Sequence, residues 1–352
     1  MTISFGYWTP VFGGWLRNVE DEHTPADFEH LKTIAQYAEQ HGFDLTLVPE
    51  LNLNDIKGDN EPSLDAWTVS AGLAATTQRL TILAALRPVY KLPTIVAKEA
   101  VTLANISHGR FAINIVSGWW QEEARQYGGT FPEHDDRYAR TLEFVKVLQG
   151  LWSEPSPFTF HGDYYDYENT WAEPKPNPRI PLYSGGESDI GRNTIAQFAD
   201  YYVTHGGTVE ELRDKIADLN QRRREKGRGD FEGFGMAGYI IVRDTDEEAQ
   251  QELNRITSVK PGSKAYDNFQ QFVSNSHLNV DIDLRDYSVS NRGLRPGFVG
   301  TPEHVADRII AYERAGVNLL LLQFSPQLEE MQRFSEQVIP LVRQKEAELG
   351  LR

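Results

Sequence analysis

The chain has 352 residues, 40% hydrophobic and 24% charged, with a formal net charge of -16 and no cysteine. Disulfides, thiolate metal sites and a cysteine nucleophile are therefore excluded, and a nucleic-acid backbone is a poor partner, because its binding relies on clustered Lys and Arg. No stretch approaches the roughly 18 uninterrupted apolar residues of a membrane span, and the N-terminal MTISFGYW lacks the basic segment and apolar core of a signal peptide, so the expected location is the cytoplasm.

Strand-like and helix-like segments alternate from the start. Ile3 to Trp8 reads as a strand, and Thr24-Pro25-Ala26-Asp27 starts a helix, with Thr as cap, Pro at the first helical position and Asp in the first turn. Phe28, Leu31, Ile34, Ala35 and Ala38 recur at helical spacing until Gly42, and Phe43 to Val48 is the second strand. The spacing then predicts helix over Ala66 to Thr76, strand over Leu80 to Leu86, helix over Pro93 to Ile106 and strand over Phe111 to Val116. Tyr138 to Leu151 is helical, Pro181 to Ser184 a short strand, Ile190 to Ala199 a helix and Tyr201 to Thr204 a strand.

Capping boxes at Thr208 and Thr245 begin two further helices, separated by a strand over Gly235 to Val242. The first ends near Arg222-Arg223-Arg224, where cations complement the helix dipole. Thr301-Pro302 caps a helix leading into a strand at Val317 to Gln323, and a last helix runs from about Leu328 to Leu349.

About eight strands, each followed by a helix, predict a (β/α)8 barrel. The rival, a doubly wound sheet, would show a G-x-G-x-x-G turn after the first strand, and Gly13-Gly14 is followed instead by Trp15-Leu16. No linker divides the chain, so residues 1–352 read as one domain with two excursions: a hairpin over Phe158 to Tyr167 turning at Gly162-Asp163, and an irregular stretch of about 258–297, read as an insertion or lid.

The functional face of such a barrel is the carboxyl end of its strands. The residues just past them include Trp8, Glu50, Arg87, Ser117-Gly118-Trp119, Gly185-Gly186-Glu187-Ser188, His205, Arg243 and Phe324. Tyr183 to Asp189 places a glycine turn and a hydroxyl before a helix, which suits either a phosphate or a plain cap. Asn114, inside an apolar strand, either pins neighbouring strands or offers a donor and an acceptor to a bound ring. Asp135 or Asp136 caps the next helix, with Arg137 and Tyr138 able to reach a phosphate or a flat ligand. The 9 histidines include no pair at i, i+2 or i, i+4, so no metal is expected. Glu122 and Glu123 are adjacent helical residues pointing apart, which argues against a glycosidase pair.

GYWTP at 6–10, NIVSGW at 114–119, EHDDRY at 133–138, YSGGESD at 183–189, YYVTHG at 201–206 and GLRPGFVGTP at 293–302 span nearly the whole chain. In these segments the sequence resembles the bacterial luciferase-like flavin monooxygenases, and within them the two-component branch that includes dimethylsulfone, alkanesulfonate and pyrimidine monooxygenases. The resemblance implies a TIM barrel with an insertion, binding FMN, supplied as FMNH2, across the strand ends, with O2 as cosubstrate. By the same resemblance Asn114 contacts the isoalloxazine, Arg137 and Tyr138 lie next to phosphate and ribityl, Ser188 binds the phosphate, Glu123 is a flavin-contacting glutamate, and Glu50 matches a flavin contact by position. Trp119 and Trp120 then supply apolar bulk beside the ring, which must be kept from water, with one of the two expected to pack into the barrel instead because neighbours on a turn diverge.

Where the alkanesulfonate branch places Arg and His, this chain has Met236-Ala237-Gly238-Tyr239, so a neutral substrate like that of the sulfone branch is expected, with His205 donating to sulfonyl oxygens and Arg295 either doing the same or closing on the flavin phosphate as a lid residue. The expected reaction is oxidation of a small organosulfur compound with C-S cleavage to a sulfinate and an aldehyde. The alternatives are a sulfonate or pyrimidine substrate, a non-catalytic flavin-binding barrel, or a deazaflavin-dependent dehydrogenase. No nicotinamide fingerprint is present, so a separate NAD(P)H:flavin reductase is expected to deliver FMNH2, and the resemblance implies a homodimer or homotetramer.

Overall fold

The computed structural model describes residues 2–17, 24–118, 120–129, 131–258, 285 and 293–351. Most of the insertion expected over about 258–297, and Trp119, lie outside them. Eight parallel strands close a barrel: β1 (Ser4–Trp8), β2 (Leu45–Val48), β3 (Thr81–Leu86), β4 (Phe111–Ile115), β7 (Leu182–Ser184), β8 (Tyr201–Thr204), β9 (Gly233–Tyr239) and β12 (Leu319–Gln323). β1 completes the ring by pairing with both β2 and β12. The hairpin β5 (Phe158–His161) and β6 (Asp166–Thr170) is antiparallel, as its alternating sequence predicts. β10 (Ile241–Val242) and β11 (Val299–Gly300) pair outside the barrel.

The helices are α1 (Phe28–Gln40), α2 (Ala66–Thr76), α3 (Pro93–Ile106), α4 (Gln121–Gln126), α5 (His134–Ser153), α6 (Asp189–Ile195), α7 (Val209–Glu225), α8 (Asp246–Ile256), α9 (Pro302–Arg314), α10 (Gln327–Gln337) and α11 (Ile339–Glu348). The capping boxes of Thr208 with Glu211 and Thr245 with Glu248 are both formed. Arg222, Arg223 and Arg224 have internal partners: Asp189 and Asp218, the Ala199 carbonyl, and Asp230. Among the described residues no helix is long and apolar enough to cross a membrane.

Side chains of alternate strand residues divide between two layers. Leu45, Leu47, Leu83, Ala112, Tyr183, Leu319 and Leu321 fill the barrel interior, while Phe5, Tyr7, Ile82, Ile113, Tyr202 and Leu320 pack outward under the helices. Gly6 has no room for a side chain, since a Cβ there would lie 3.0 Å from the Leu321 methyl.

Several boundaries differ from the sequence expectation, among them the end of α6, at Ile195 rather than Ala199. The cap of α1 is Asp27, not Thr24; its extended backbone lets the carboxylate accept from the His30 amide at 2.8 Å. The segment Gly235 to Val242 is not one strand, because the chain leaves β9 after Tyr239 and Ile241 pairs with Val299. Arg243 therefore sits outside the barrel mouth and pairs with Glu330 at 2.8 Å. The last helix is two, α10 and α11, because Pro340 has no amide proton to continue the ladder. α5 begins at His134, so Asp135 and Asp136 occupy its first turn rather than cap it.

Glu346 on α11 closes the amino-terminal end of the barrel: it accepts from the Ile3 amide at 2.9 Å and pairs with Arg343 at 2.9 Å. Its neighbour Glu313 on α9 has a pKa raised to about 7 by burial and by the charge of Glu346. A carboxyl raised in the folded state favours folding fully below its unfolded pKa, and that contribution disappears as pH rises through the folded pKa. Glu313→Gln is therefore expected to raise the melting temperature at pH 8 and leave it nearly unchanged at pH 4, read by thermal denaturation at both pH values.

Candidate active site

The carboxyl ends of the barrel strands surround a cavity of about 280 Å3. Its floor continues the inward alternation by one more layer: Leu47, Ala85, Asn114, Val203, Ala237 and Gln323 stand two residues beyond Leu45, Leu83, Ala112, Tyr201, Gly235 and Leu321.

One wall is aromatic. Trp8 and Phe12 both meet Trp15 edge-on, with ring centroids 6.2 and 6.0 Å apart, and Trp15 Nε1 donates to Gln327 Oε1 at 2.9 Å, which ties the wall to α10. The facing wall is the turn after β7. A Cβ on Gly185 would lie 2.1 Å from the Val203 carbonyl oxygen, and one on Gly186 would lie 2.8 Å from the Tyr138 hydroxyl. Only glycine fits there. The Tyr202 hydroxyl donates to the Gly186 carbonyl and fixes the turn.

The charged groups of the lining are paired with one another. Arg17 contacts Asp55 at 3.0 Å, and Lys215, from α7, contacts Glu187 at 2.8 Å. Arg87, at the exit of β3, lies between two carboxylates: Glu50 accepts from its amide at 2.7 Å and from Nε at 3.3 Å, and Glu123 accepts from both terminal nitrogens. Glu123 also accepts from the Asn52 amide and from the Tyr90 hydroxyl. Burial works against the Arg87 cation, but its hydrogen bonds to Glu123 and the charge of Glu50 outweigh that and raise its pKa. Burial pushes the Glu50 carboxyl up, with Arg87 opposing.

Arg137 is different. It is 6% exposed, donates to the Pro132 carbonyl at 3.0 Å and lies 4.4 Å over the Phe131 ring, and among the described residues it makes no ion pair. Burial lowers its pKa.

Of the residues singled out from the sequence, Glu50, Asn114, Arg137, Tyr138 and His205 line the cavity together. The other three described ones do not. Glu123 is fully buried behind Arg87, where it positions that cation. Ser188 caps α6, accepting from the Gly191 amide at 3.2 Å, and it hydrogen-bonds Tyr138. Arg295 pairs with Glu211 at 2.7 Å. Phe324 is core, fully buried against Phe43 and Phe334, and Gln323 faces the cavity in its place. Gly118 turns the chain after β4 at φ 87°, and Trp120 packs into the protein at 4% exposure. Sequence reasoning missed Phe12, Trp15, Arg17, Asp55 and Gln323; only Gln323 carried a signal, as a polar residue in phase with Leu319 and Leu321. Among the described residues no group of three or more His, Asp or Glu is placed to hold a metal ion.

A sequence profile of the luciferase-like monooxygenase family matches residues 4–319. The chain belongs to this family. Among its relatives, the FMNH2-dependent dimethylsulfone monooxygenase of Pseudomonas putida is 33% identical over 357 aligned positions, covering 98% of this chain and 97% of that one. The enzyme of the same name from Pseudomonas fluorescens (strain Pf0-1) is 32% identical, covering 98% and 96%. A riboflavin lyase solved with modified FMN and its substrate riboflavin shares the fold, with a TM-score of 0.83 at 22% identity over 98% of this chain and 92% of that one.

In this luciferase-like monooxygenase the clamp on Arg87 is expected to be structural as well as local. Glu123→Ala leaves a buried guanidinium with half its partners and the Asn52 amide with none, and is expected to cost about 3–5 kcal/mol of folding free energy, measured by chemical denaturation.

Proposed function

We propose that the protein is an FMNH2- and O2-dependent monooxygenase acting on a small neutral organosulfur compound such as dimethyl sulfone, cleaving a C-S bond to give a sulfinate and an aldehyde. A separate NAD(P)H:flavin reductase supplies the reduced cofactor. The observation that carries this reading is Arg137: among the described residues every other Arg or Lys at the cavity is matched by a carboxylate, and Arg137 is left for an anionic anchor. It lines the cavity with Tyr138 and the bare turn Gly185-Gly186, which suits the phosphate of FMN.

Asn114 fits the rest of the cofactor. It is 7% exposed and its Oδ1 has no hydrogen-bond partner, so a ligand offering both donors and acceptors, as an isoalloxazine does, would complete it. Reduced FMN, when bound, supplies the two electrons that let one atom of O2 enter the substrate and the other leave as water. The protein's part is to bind, orient and keep dry. Arg137 holds the phosphate, Asn114 sets the ring's orientation, and Trp8, Phe12, Trp15, Leu51 and Ile56 exclude water from the reacting end. A sulfonate would find no uncompensated cation beyond Arg137, whereas a sulfone brings no charge to desolvate.

Arg137→Gln is expected to weaken FMN binding tenfold or more, roughly the worth of one charge-assisted hydrogen bond, and to leave riboflavin binding nearly unchanged, read by fluorescence titration. Equal losses for both flavins would remove the phosphate assignment. With a partner reductase, the wild-type enzyme is expected to turn over neutral sulfones in preference to alkanesulfonates, monitored by sulfinate release from the sulfones and sulfite release from the sulfonates; the reverse preference would sink the neutral-substrate reading.

A further inference from the structure

The cavity floor carries a second pair of unsatisfied polar groups, on the opposite side of the barrel from Asn114. In the closed strand order β12 lies four places from β4 in either direction. Tyr7 of β1 pairs with Leu322 of β12, so the next residues, Trp8 and Gln323, end their strands side by side, and both line the cavity. Gln323 is 4% exposed. Its Oε1 and the indole Nε1 of Trp8 are buried without a hydrogen-bond partner. The adjacent Trp15 has its own indole N-H satisfied by Gln327, so the lack is particular to Trp8.

Unpartnered buried polar groups are rare, because each forfeits its hydrogen bonds to water and regains nothing. At a cavity wall a ligand repairs the loss. Trp8 can only donate, while the Gln323 amide offers two donors and an acceptor. No protein contact fixes that amide oxygen, so packing alone sets its rotation. The charged pair on this side of the cavity, Arg17 with Asp55, is internally compensated at 3.0 Å. As placed, Gln323 Oε1 takes a donor, and with the amide turned about its last torsion Nε2 faces the same space, so that a ligand there accepts from both Trp8 and Gln323 and gains nothing from a charge.

We propose that Trp8 and Gln323 form the subsite for the polar head of a small neutral substrate, a sulfonyl or similarly acceptor-rich group, with the apolar remainder against Phe12 and Trp15. The substrate class rests on the monooxygenase reading above. The flavin end, at Asn114 and Arg137, and the substrate end, at Gln323 and Trp8, then occupy opposite sides of one barrel, and the reacting atoms meet over the floor between them.

The test uses Trp8→Phe, which keeps the ring and removes the N-H, and Gln323→Leu, which keeps the bulk and removes the amide. Dimethyl sulfone is titrated against each protein loaded with oxidised FMN, and steady-state kinetics are measured with a partner reductase. Each variant is expected to bind dimethyl sulfone about tenfold more weakly, with the kinetic loss falling mainly in KM and FMN affinity retained. Retained FMN affinity separates the subsite from a collapsed barrel mouth. Dimethyl sulfone binding that is absent in the wild type, or equal in all three proteins, overturns the subsite. Wild-type binding that both variants lose, without turnover in any protein, upholds the subsite and overturns the functional reading.

Discussion

A charge withdrawn from water needs a counter-charge, and the mouth of this barrel is organised by that requirement. Strand exits in a parallel barrel gather side chains from distant parts of the sequence, and here they bring Arg17 to Asp55, Arg87 to Glu50 and Glu123, and Lys215 to Glu187. Each pair ties together two loops or a loop and a helix. Glu123 fastens α4 to the exits of β2 and β3 through Arg87 and the Asn52 amide. The pairs hold the rim in place, and among the described residues Arg137 is the cation lining the cavity that has no carboxylate partner.

The fold was legible because its signals are local. Strand runs, Thr-x-x-Glu boxes and helical spacing each involve residues within a few positions of one another, and helices such as Ala66–Thr76 and Pro93–Ile106 lie where the sequence places them. The misread boundaries depend on distant partners or on a backbone angle. Gly235 to Val242 is an unbroken apolar run, and only the pairing of Ile241 with Val299 shows that its last residues leave the barrel. Asp27 caps α1 ahead of Thr24 because its own backbone is extended at the point where the helix begins.

The site was legible to the extent that single residues contradicted their surroundings. Asn114 stands out as an amide in an apolar strand. Gln323 has the same inward phase but ends its run, where a polar residue reads as a strand terminus. The ion pairs left no local trace: Arg87 and Glu123 are 36 residues apart, Arg17 and Asp55 38, and Arg295 and Glu211 84. Arg295 reads as a free cation beside the site until the fold supplies Glu211, and it is not among the residues that line the cavity.

That absence determines the chemistry the cavity favours. With Arg295 and Lys215 paired and Arg87 held between two carboxylates, the unpartnered polar groups described at the floor and the aromatic wall are neutral: two amides and an indole. Neutral hydrogen-bonding groups discriminate by geometry rather than by charge, and a site built from them rejects an analogue that leaves its buried atoms unpaired more strongly than it rejects an extra methyl group. In the proposed reading, a barrel whose rim cations are held by carboxylates anchors one anionic group at Arg137 and selects everything else by the shape and direction of its hydrogen bonds.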